Sequence, residues 1–458
     1  MYLIEQKRKR PLCIQLYEEL KKDIIQNYNV GEKIPSIRKI ASIYNLSKNT
    51  VEKAFSQLVI EGYIDSYPKS GYVVTETNYQ DFNNNQKIEV KKNDIQEEIL
   101  YDFFTARLAQ NSFPLKLWKR LFAKVIDESL DFGKYQDGQG ELGLREQICK
   151  YLIKSRGVNC HANQIIICNG FADSMGLIAN LLKDSYKNLA IEFPGYHIAR
   201  SVFDSHNYSI TNISVGKTGI NLEELNQSKS RLVYITPSHQ YPTGVTIPIS
   251  KRIKLLEWAK KVDGFIIEDD YDSELSYTNR PIPSLQGLDK HGKIIYAGTF
   301  SKSLSPAMRV SYLVLPAVLL NKYKKSYEYR TSKVCLTTQK VLEKFIEGGY
   351  WDKHLRKIRT SNKKKHNIMK NLLIEKIGKT LKIERQGSGL AILINPTVDF
   401  DWDKLEALSK KNKMKLYYAK ERSGGKWQAL MMGFGGFNEE KIEEAIIVFS
   451  KIWNKCII

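Results

Sequence analysis

The sequence predicts a two-part chain, a small winged helix-turn-helix followed by a large α/β domain built on a mostly parallel sheet. Three observations carry that prediction. Residues 11 to about 76 hold short helical patterns that end in two short β-like runs. Residues 77 to about 100 are polar and rich in Asn, Gln and charge, which suits a linker. From about residue 101 onward, short apolar runs alternate with helical stretches, as in strands buried between layers of helices. At 458 residues the chain has length for one small and one large domain.

In the first part, Leu16, Leu20, Ile24 and Ile25 recur at helical spacing. Ser36 is placed to cap a second helix over Ile37 to Tyr44, which Asn45 ends. Ser47 can cap a third, Lys48 to Glu61, with Val51, Ala54, Phe55 and Leu58 packed inward. Its first turn leaves Lys48, Asn49 and Thr50 exposed, and Gly62 stops it. Tyr63 to Asp65 and Tyr72 to Val74 then form a hairpin around Pro68-Lys69-Ser70-Gly71. In a winged helix-turn-helix the third helix enters the major groove of DNA. A helical protein-interaction domain with a chance wing is the alternative.

In the second part the strand candidates are 164–168, 188–192, 231–236, 264–268, 293–297 and 310–315, with helices such as Ile249 to Lys261 between them. They define a large subdomain over about 130–334. After residue 335 a long basic helical stretch precedes shorter strands at 388–395, 414–419 and 428–433 and a final helix, a smaller subdomain over about 335–458.

Hydrophobic residues make up 42% of the chain, yet no run approaches the roughly eighteen apolar residues of a membrane span. The basic start, Met1 to Arg10, lacks the apolar stretch of a signal peptide. The six cysteines are scattered without a CxxC pair, which argues against a zinc site or a disulfide framework and for a reducing cytoplasm. A net charge of +21 suits a polyanionic partner such as nucleic acid, or else a lysine-rich surface. Much of the excess lies outside the N-terminal segment, as in Lys363-Lys364-Lys365, so charge alone does not place a DNA site.

The stretch Gly298-Thr299-Phe300-Ser301-Lys302-Ser303-Leu304-Ser305-Pro306-Ala307-Met308-Arg309 follows the strand 293–297, at the carboxyl end where open α/β sheets bind ligands. It offers a lysine, hydroxyls and an arginine together. A pyridoxal-phosphate site needs a lysine for the Schiff base, an acid at the pyridine nitrogen and a phosphate cup. Lys302 would meet the aldehyde, while Thr299 and Arg309 face the phosphate. Asp269, in IIEDDYDSE, ends another strand 33 residues before Lys302. Strand 164–168 runs through Asn169 into Gly170, Phe171 and Ala172, a tight turn opening a helix whose free amides suit an anion.

Both parts resemble known families. "GEKIPSIRKIASIYNLSKNTVEKAFSQLVIEGYIDSYPKSGYVV" resembles the GntR family of bacterial regulators along its whole length. That resemblance implies that Arg38 and Lys48 meet phosphates or base edges. It also implies that Ser36, Ser47, Asn49 and Thr50 fix the helix on the backbone, and that Gly71 shapes the wing tip. Lys69 stands where the family usually has Gly, and Lys48 where it often has Arg. The second part resembles the fold-type I aminotransferases, most closely in the MocR subfamily of GntR regulators, where such a domain is fused to a winged helix. By that resemblance Asp269 pairs with the pyridine nitrogen, Tyr271 with the ring hydroxyl, and Tyr196 of FPGY stacks on the ring. Tyr135 of YQDGQGELGLREQI would reach the phosphate of a partner subunit, which implies a homodimer.

The departures bear on function. Tyr241 in TPSHQYPTG occupies the place of an asparagine in active aminotransferases. QALMMGFGGF aligns with the strand where transaminases carry the arginine that clamps the substrate carboxylate, and it contains no arginine; Arg422 is nearby but off pattern. Without a bidentate clamp an amino acid is poorly oriented for transfer. The sequence therefore favours a DNA-binding regulator responsive to pyridoxal phosphate, or to pyridoxal phosphate plus an amine, over sustained turnover, in the manner of regulators of vitamin B6 synthesis. The alternatives are a working aminotransferase that also binds DNA, and a DNA-binding protein whose second domain serves only to dimerise.

Overall fold

Leu16, Leu20 and Ile24 form the buried stripe of α1 (Leu12–Asn27), while Ile25 turns outward. In the computed structural model, which describes residues 10–68, 70–76, 98–128, 130–277, 282–385, 387–420 and 428–458, this helix opens the first of two compact units, Met1–Gln96 and Glu97–Ile458. Most of the expected linker, Lys69 of the wing turn and Arg422 lie outside the described residues.

The caps of the first unit fall where the sequence places them. Ser36 accepts from the Lys39 amide at the start of α2 (Ile37–Tyr44), and Asn45 ends that helix in the left-handed region, at φ 52°. Ser47 accepts from the Thr50 amide at the start of α3 (Lys48–Ile60). Strands β1 (Ile64–Tyr67) and β2 (Gly71–Val74) pair antiparallel as the wing, with Gly71 at φ 93°. The amides of Gly31 and Ile34 donate to Val74 and Tyr72, so the chain before α2 lines the outer edge of β2. Val51, Ala54, Phe55 and Leu58 of α3 close the core against α1 and the wing, with the Phe55 ring edge-on to Tyr72 at 4.8 Å between centroids.

The second unit begins with β3 (Tyr101–Asp102), α4 (Leu115–Asp127) and α5 (Leu142–Arg156). The main sheet draws on β4 (Ile165–Cys168), β5 (Asn188–Phe193), β6 (Ser209–Gly216), β7 (Gly219–Ile220), β8 (Leu232–Ile235), β9 (Phe265–Asp270), β10 (Ile294–Thr299) and β11 (Ser311–Val314). Between them run α6 (Phe171–Leu182), α7 (His197–Ser205), α8 (Leu222–Gln227) and α9 (Ile249–Lys261), with α10 (Ala317–Ser326) after the last. The strand order is β4-β11-β10-β9-β8-β5-β6-β7, parallel from β10 through β6, with β11 antiparallel to both its neighbours. Each buried strand divides its side chains by the period of two: Ile165 and Ile167 of β4 enter one core, Ile166 and Cys168 the other. Helices cover both faces, which is why these strands read as unbroken apolar runs.

Helices α11 (Leu336–Glu347) and α12 (Tyr350–Ile377) lead to the C-terminal layer of β12 (Leu381–Arg385), β13 (Ala391–Pro396), α13 (Trp402–Lys411), β14 (Met414–Lys415), β15 (Tyr418–Lys420), β16 (Gln428–Gly433) and α14 (Glu439–Lys455). The expected strand 414–419 is two short strands in different sheets. β15 pairs with β16, whereas β14 runs parallel to β3. The start of the unit is thereby tied to its C-terminal layer. The strand expected at 264–268 continues through Asp270. β6, β7 and β12 were not expected; β6 is a polar strand toward the sheet edge, with Ile213 its only fully buried residue. Among the described residues no helix is long and apolar enough to cross a membrane.

Phe55 is fully buried in a core of few residues. Phe55→Ala is expected to destabilise the N-terminal unit by about 3–5 kcal/mol. Calorimetry should show this as an earlier unfolding transition assigned to that unit, and an unmoved transition would contradict it.

Candidate functional site

β9 and β10 lie side by side in parallel register, with Ala297 opposite Asp269 and Gly298 opposite Asp270. Their carboxyl ends therefore deliver an acid turn and the loop holding Lys302 to the same edge of the sheet. A cavity of about 660 Å³ opens there, and Asp269, Tyr271, Thr299, Lys302, Arg309, Phe171 and Tyr196 all line it. Seven of the expected residues are thus brought together from four separate strand ends.

The three acids of the turn have different partners. Asp270 accepts Arg156 in a two-pronged pair, Nε to Oδ2 at 2.7 Å and Nη2 to Oδ1 at 3.3 Å, and also accepts the hydroxyl of Tyr296. Burial, the largest single influence, would raise its pKa, but the Arg156 charge together with the hydrogen bonds from Tyr296, Arg156 and Ser273 holds it below the usual range. Asp272 pairs with His239 Nδ1 at 3.0 Å. Neither is a solvated turn residue; both are buried. Asp269 alone lines the cavity, and the Tyr234 hydroxyl donates to its Oδ2 at 2.5 Å. Burial pushes Asp269 up to about 7, with the charges of Asp270 and Asp272 adding to the effect against the Tyr234 hydrogen bond.

At the other end of the cavity, Gly170 caps α6 at φ 80°. A Cβ on it would stand 2.1 Å from Arg309 Nη2, so the guanidinium occupies the place of a side chain. Arg309 itself is left-handed, at φ 52°. A cation, the first turn of a twelve-residue helix and the Thr299 hydroxyl converge here, and such a corner suits an anion. Ala172 is exposed in that first turn and does not line the cavity. Rings wall one side: Phe171 and Tyr196 at 5.0 Å, Tyr196 and Tyr241 at 5.2 Å, Tyr241 and Tyr271 at 6.4 Å.

Tyr135 is not brought to the cavity; it is 87% exposed. Thr236, Ser301 and Arg107 line the cavity and were not expected there. Ser301 was legible beside Lys302, but Tyr234 reads as an ordinary apolar strand residue. Arg107 arrives with the segment that follows β3, and pairs with Asp102 at 2.9 Å. Toward the C-terminal layer, Met431 of β16, Leu390 and Tyr241 pack beside Lys302 around a gap of only about 20 Å³. Among the described residues no cluster of His, Cys, Asp or Glu is placed to hold a metal ion.

In the N-terminal unit, Ser36, Arg38, Ser47, Lys48 and Asn49 are exposed along the start of α2 and α3, and Thr50 is half-buried. Lys48 pairs loosely with Glu52 one turn on, at 3.4 Å. Gly71 is exposed at the wing.

A profile described as "Bacterial regulatory proteins, gntR family" matches residues 13–74, and one described as "Aminotransferase class I and II" matches residues 105–412. The chain is 34% identical to the "Uncharacterized HTH-type transcriptional regulator YdeL" of Bacillus subtilis, over 97% of this chain and 98% of that one. It is 29% identical to the "Probable rhizopine catabolism regulatory protein MocR" of Rhizobium meliloti, over 86% and 83% of the two chains. Identity to the "HTH-type pyridoxine biosynthesis transcriptional regulator PdxR" of Corynebacterium glutamicum is 26%, over 78% of each. Among solved structures, the kynurenine aminotransferase of Pyrococcus horikoshii superposes with a TM-score of 0.69 at 24% identity, covering 79% of this chain and 92% of that one.

Four buried carboxyls, Asp269, Glu192, Glu268 and Glu274, have pKa values raised by burial to about 7. Unfolded carboxyls titrate near about 4. The folded chain then holds protons that the unfolded chain releases between about pH 4 and pH 7. These groups favour the fold below that window and progressively less as pH rises through it. In the cofactor-free protein Asp269→Asn should flatten the fall of thermal midpoint between those pH values; an unchanged slope would contradict the assignment.

Proposed function

The chain belongs to the aminotransferase class I and II family and, with its gntR-type N-terminal domain, to the HTH-type transcriptional regulators of the MocR kind, and from that premise we propose that it senses pyridoxal phosphate and responds by changing its hold on operator DNA. The single observation that carries this reading is the wall beside Lys302. Met431, Leu390 and Tyr241 pack there, and the strand that carries Met431, Gln428–Gly433, holds no arginine, whereas by the family resemblance a transaminase carries its carboxylate clamp on that strand. A site that holds the cofactor without a carboxylate clamp on that strand suits a receptor better than a transaminase.

The residues present fit the cofactor. Gly170 leaves room for Arg309 at the α6 N-terminus, a cradle that a methyl group would fill. Asp269 is buried at the cavity wall, and a protonated ring nitrogen would give it a cationic partner. Arg309, Thr299 and the amides at the α6 N-terminus, Gly170 and Phe171, would hold the phosphate; Tyr196 would stack on the ring, Tyr271 would meet its hydroxyl, and Lys302 would take the aldehyde carbon. Tyr234 donates to Asp269 Oδ2, so Oδ1 would be the oxygen available to a protonated ring nitrogen. When bound, the cofactor supplies an aldehyde carbon that captures amines and a ring that accepts negative charge.

Two finer points belong to the same reading. Tyr135 stands 87% exposed, away from its own cavity, beside exposed Phe132. This supports a homodimer in which each Tyr135 reaches the phosphate bound by the other copy. The effector is pyridoxal phosphate alone or together with an amine, the protein works in the cytoplasm, and the genes it controls serve vitamin B6 or amino-acid metabolism. The relatives named for pyridoxine biosynthesis and rhizopine catabolism support that choice of genes.

DNA from upstream of the chain's own gene, titrated with and without pyridoxal phosphate, tests the reading. A cofactor-dependent shift in affinity is expected, and Lys302→Ala should abolish both the shift and the visible absorbance of the bound cofactor. Sustained transamination at about 10 per second with no effect on DNA binding would overturn it. Gly170→Ala displaces Arg309, and is expected to weaken cofactor affinity at least about 10-fold, the equivalent of one lost charge-assisted hydrogen bond. Equilibrium absorbance titration measures this, and unchanged affinity would remove Arg309 from the phosphate site.

A further inference from the structure

The charge of this chain sits in the domain that is not the winged helix. Residues 1–76 carry 12 Lys and Arg against 9 Asp and Glu, a net +3, whereas residues 101–458 carry 56 against 36, a net +20. α12 concentrates the excess. Between Asp352 and Glu375 it has eight Lys and Arg and no acid.

Some of those cations serve the fold. Arg359 donates to the Glu274 carbonyl, Lys365 is buried against the Gly435 carbonyl, and Lys364 pairs with Glu439 at 2.6 Å. Lys353, Arg356, Lys357 and Lys363 are exposed and make no ion pair among the described residues. The acid nearest them, Asp352, is taken by Lys154 at 3.2 Å.

Helical spacing puts these four residues, together with Thr360, Lys364 and Asn367, on one stripe, opposite the buried face of Leu355, Ile358, Asn362 and Met369. From Lys353 to Lys364 the stripe is about 17 Å long, at about 1.5 Å per residue. Helix stability does not account for it. Like charges three and four residues apart repel. Cations near a helix N-terminus also oppose the macrodipole, and Lys353, Arg356 and Lys357 all lie in the first two turns.

We propose that the exposed basic stripe of α12 is a second DNA contact, binding the phosphate backbone of a duplex without reading its sequence. The proposal rests on the DNA-binding reading above. Each strand of duplex DNA presents a charge about every 3.4 Å of the axis, so a rod of cations about 17 Å long spans several successive phosphates. The hydroxyl of Thr360 and the amide of Asn367 add hydrogen-bonding groups suited to the same backbone.

The test uses the full-length protein and a duplex of about 60 bp from upstream of its gene, beside a scrambled duplex of equal length. Affinity is measured between 50 and 200 mM salt for wild type, K353Q/R356Q/K357Q/K363Q, K353R/K357R/K363R and R38A. Four lost phosphate contacts should lower the slope of log affinity against log salt by about 3–4, at about 0.9 each. The wild type should then lose about 100-fold more affinity than the glutamine variant over that salt range, on both duplexes alike. The arginine variant should behave as wild type, and R38A should lose its preference for the upstream duplex. Unchanged melting and cofactor absorbance would show that the glutamine variant is folded. If wild type binds DNA, R38A weakens it and the glutamine variant matches wild type, the stripe proposal falls and the DNA-binding reading stands. If wild type binds neither duplex, both fall. Loss of binding to phosphatidylserine vesicles with an unchanged DNA slope would assign the stripe to a membrane surface and overturn the proposal.

Discussion

The pocket depends on one buried ion pair, Arg156 with Asp270. The guanidinium at the end of α5 meets the last residue of β9, with both side chains almost fully withdrawn from solvent. The same guanidinium donates to Ser238 and to the Ile282 carbonyl. One cation therefore joins a helix end, a strand end and two loops. Such a pair stabilises only when the remaining donors and acceptors are also satisfied, and here Tyr296 and Ser273 complete the carboxylate. By fixing Asp270 on the far side of the strand end, the pair leaves its neighbour Asp269 to face the cavity.

That arrangement explains which parts of the site were legible in the sequence. Residues whose role follows from local chemistry could be read: Ser36 and Ser47 as caps, the glycine before α6, the lysine and arginine after β10. The alternation of strands and helices was legible too, because a sheet covered on both faces needs uninterrupted apolar runs. Partners distant in sequence were not. Tyr234 reaches Asp269 across 35 positions and Arg156 reaches Asp270 across 114, and nothing local marks either residue. β6 escaped because its polar pattern carries little apolar period. β3 escaped because two residues leave no period at all, and nothing in the sequence separates β14 from β15, though the pairing of β14 with β3 precedes the segment that brings Arg107 to the cavity.

The two functions divide the chain unequally. The winged helix, the gntR-type DNA-binding unit, is nearly balanced in charge. The larger unit holds the ligand and most of the positive field. If the proposed basic stripe meets DNA, long-range attraction and sequence recognition would come from different places, and salt and ligand would act on separate parts of the same equilibrium.

The contact between Gly170 and Arg309 has a consequence for how such proteins can diverge. With less than a methyl's width between backbone and guanidinium, the glycine cannot be replaced while the arginine stays. Any side chain at 170 must evict the arginine, and the positive φ of 80° holds the position to glycine even without it. The dependence runs one way: a lineage that loses the glycine should soon show the loss of the arginine. Their joint presence in a distant sequence is then a better marker that this corner of the cavity is retained than overall identity.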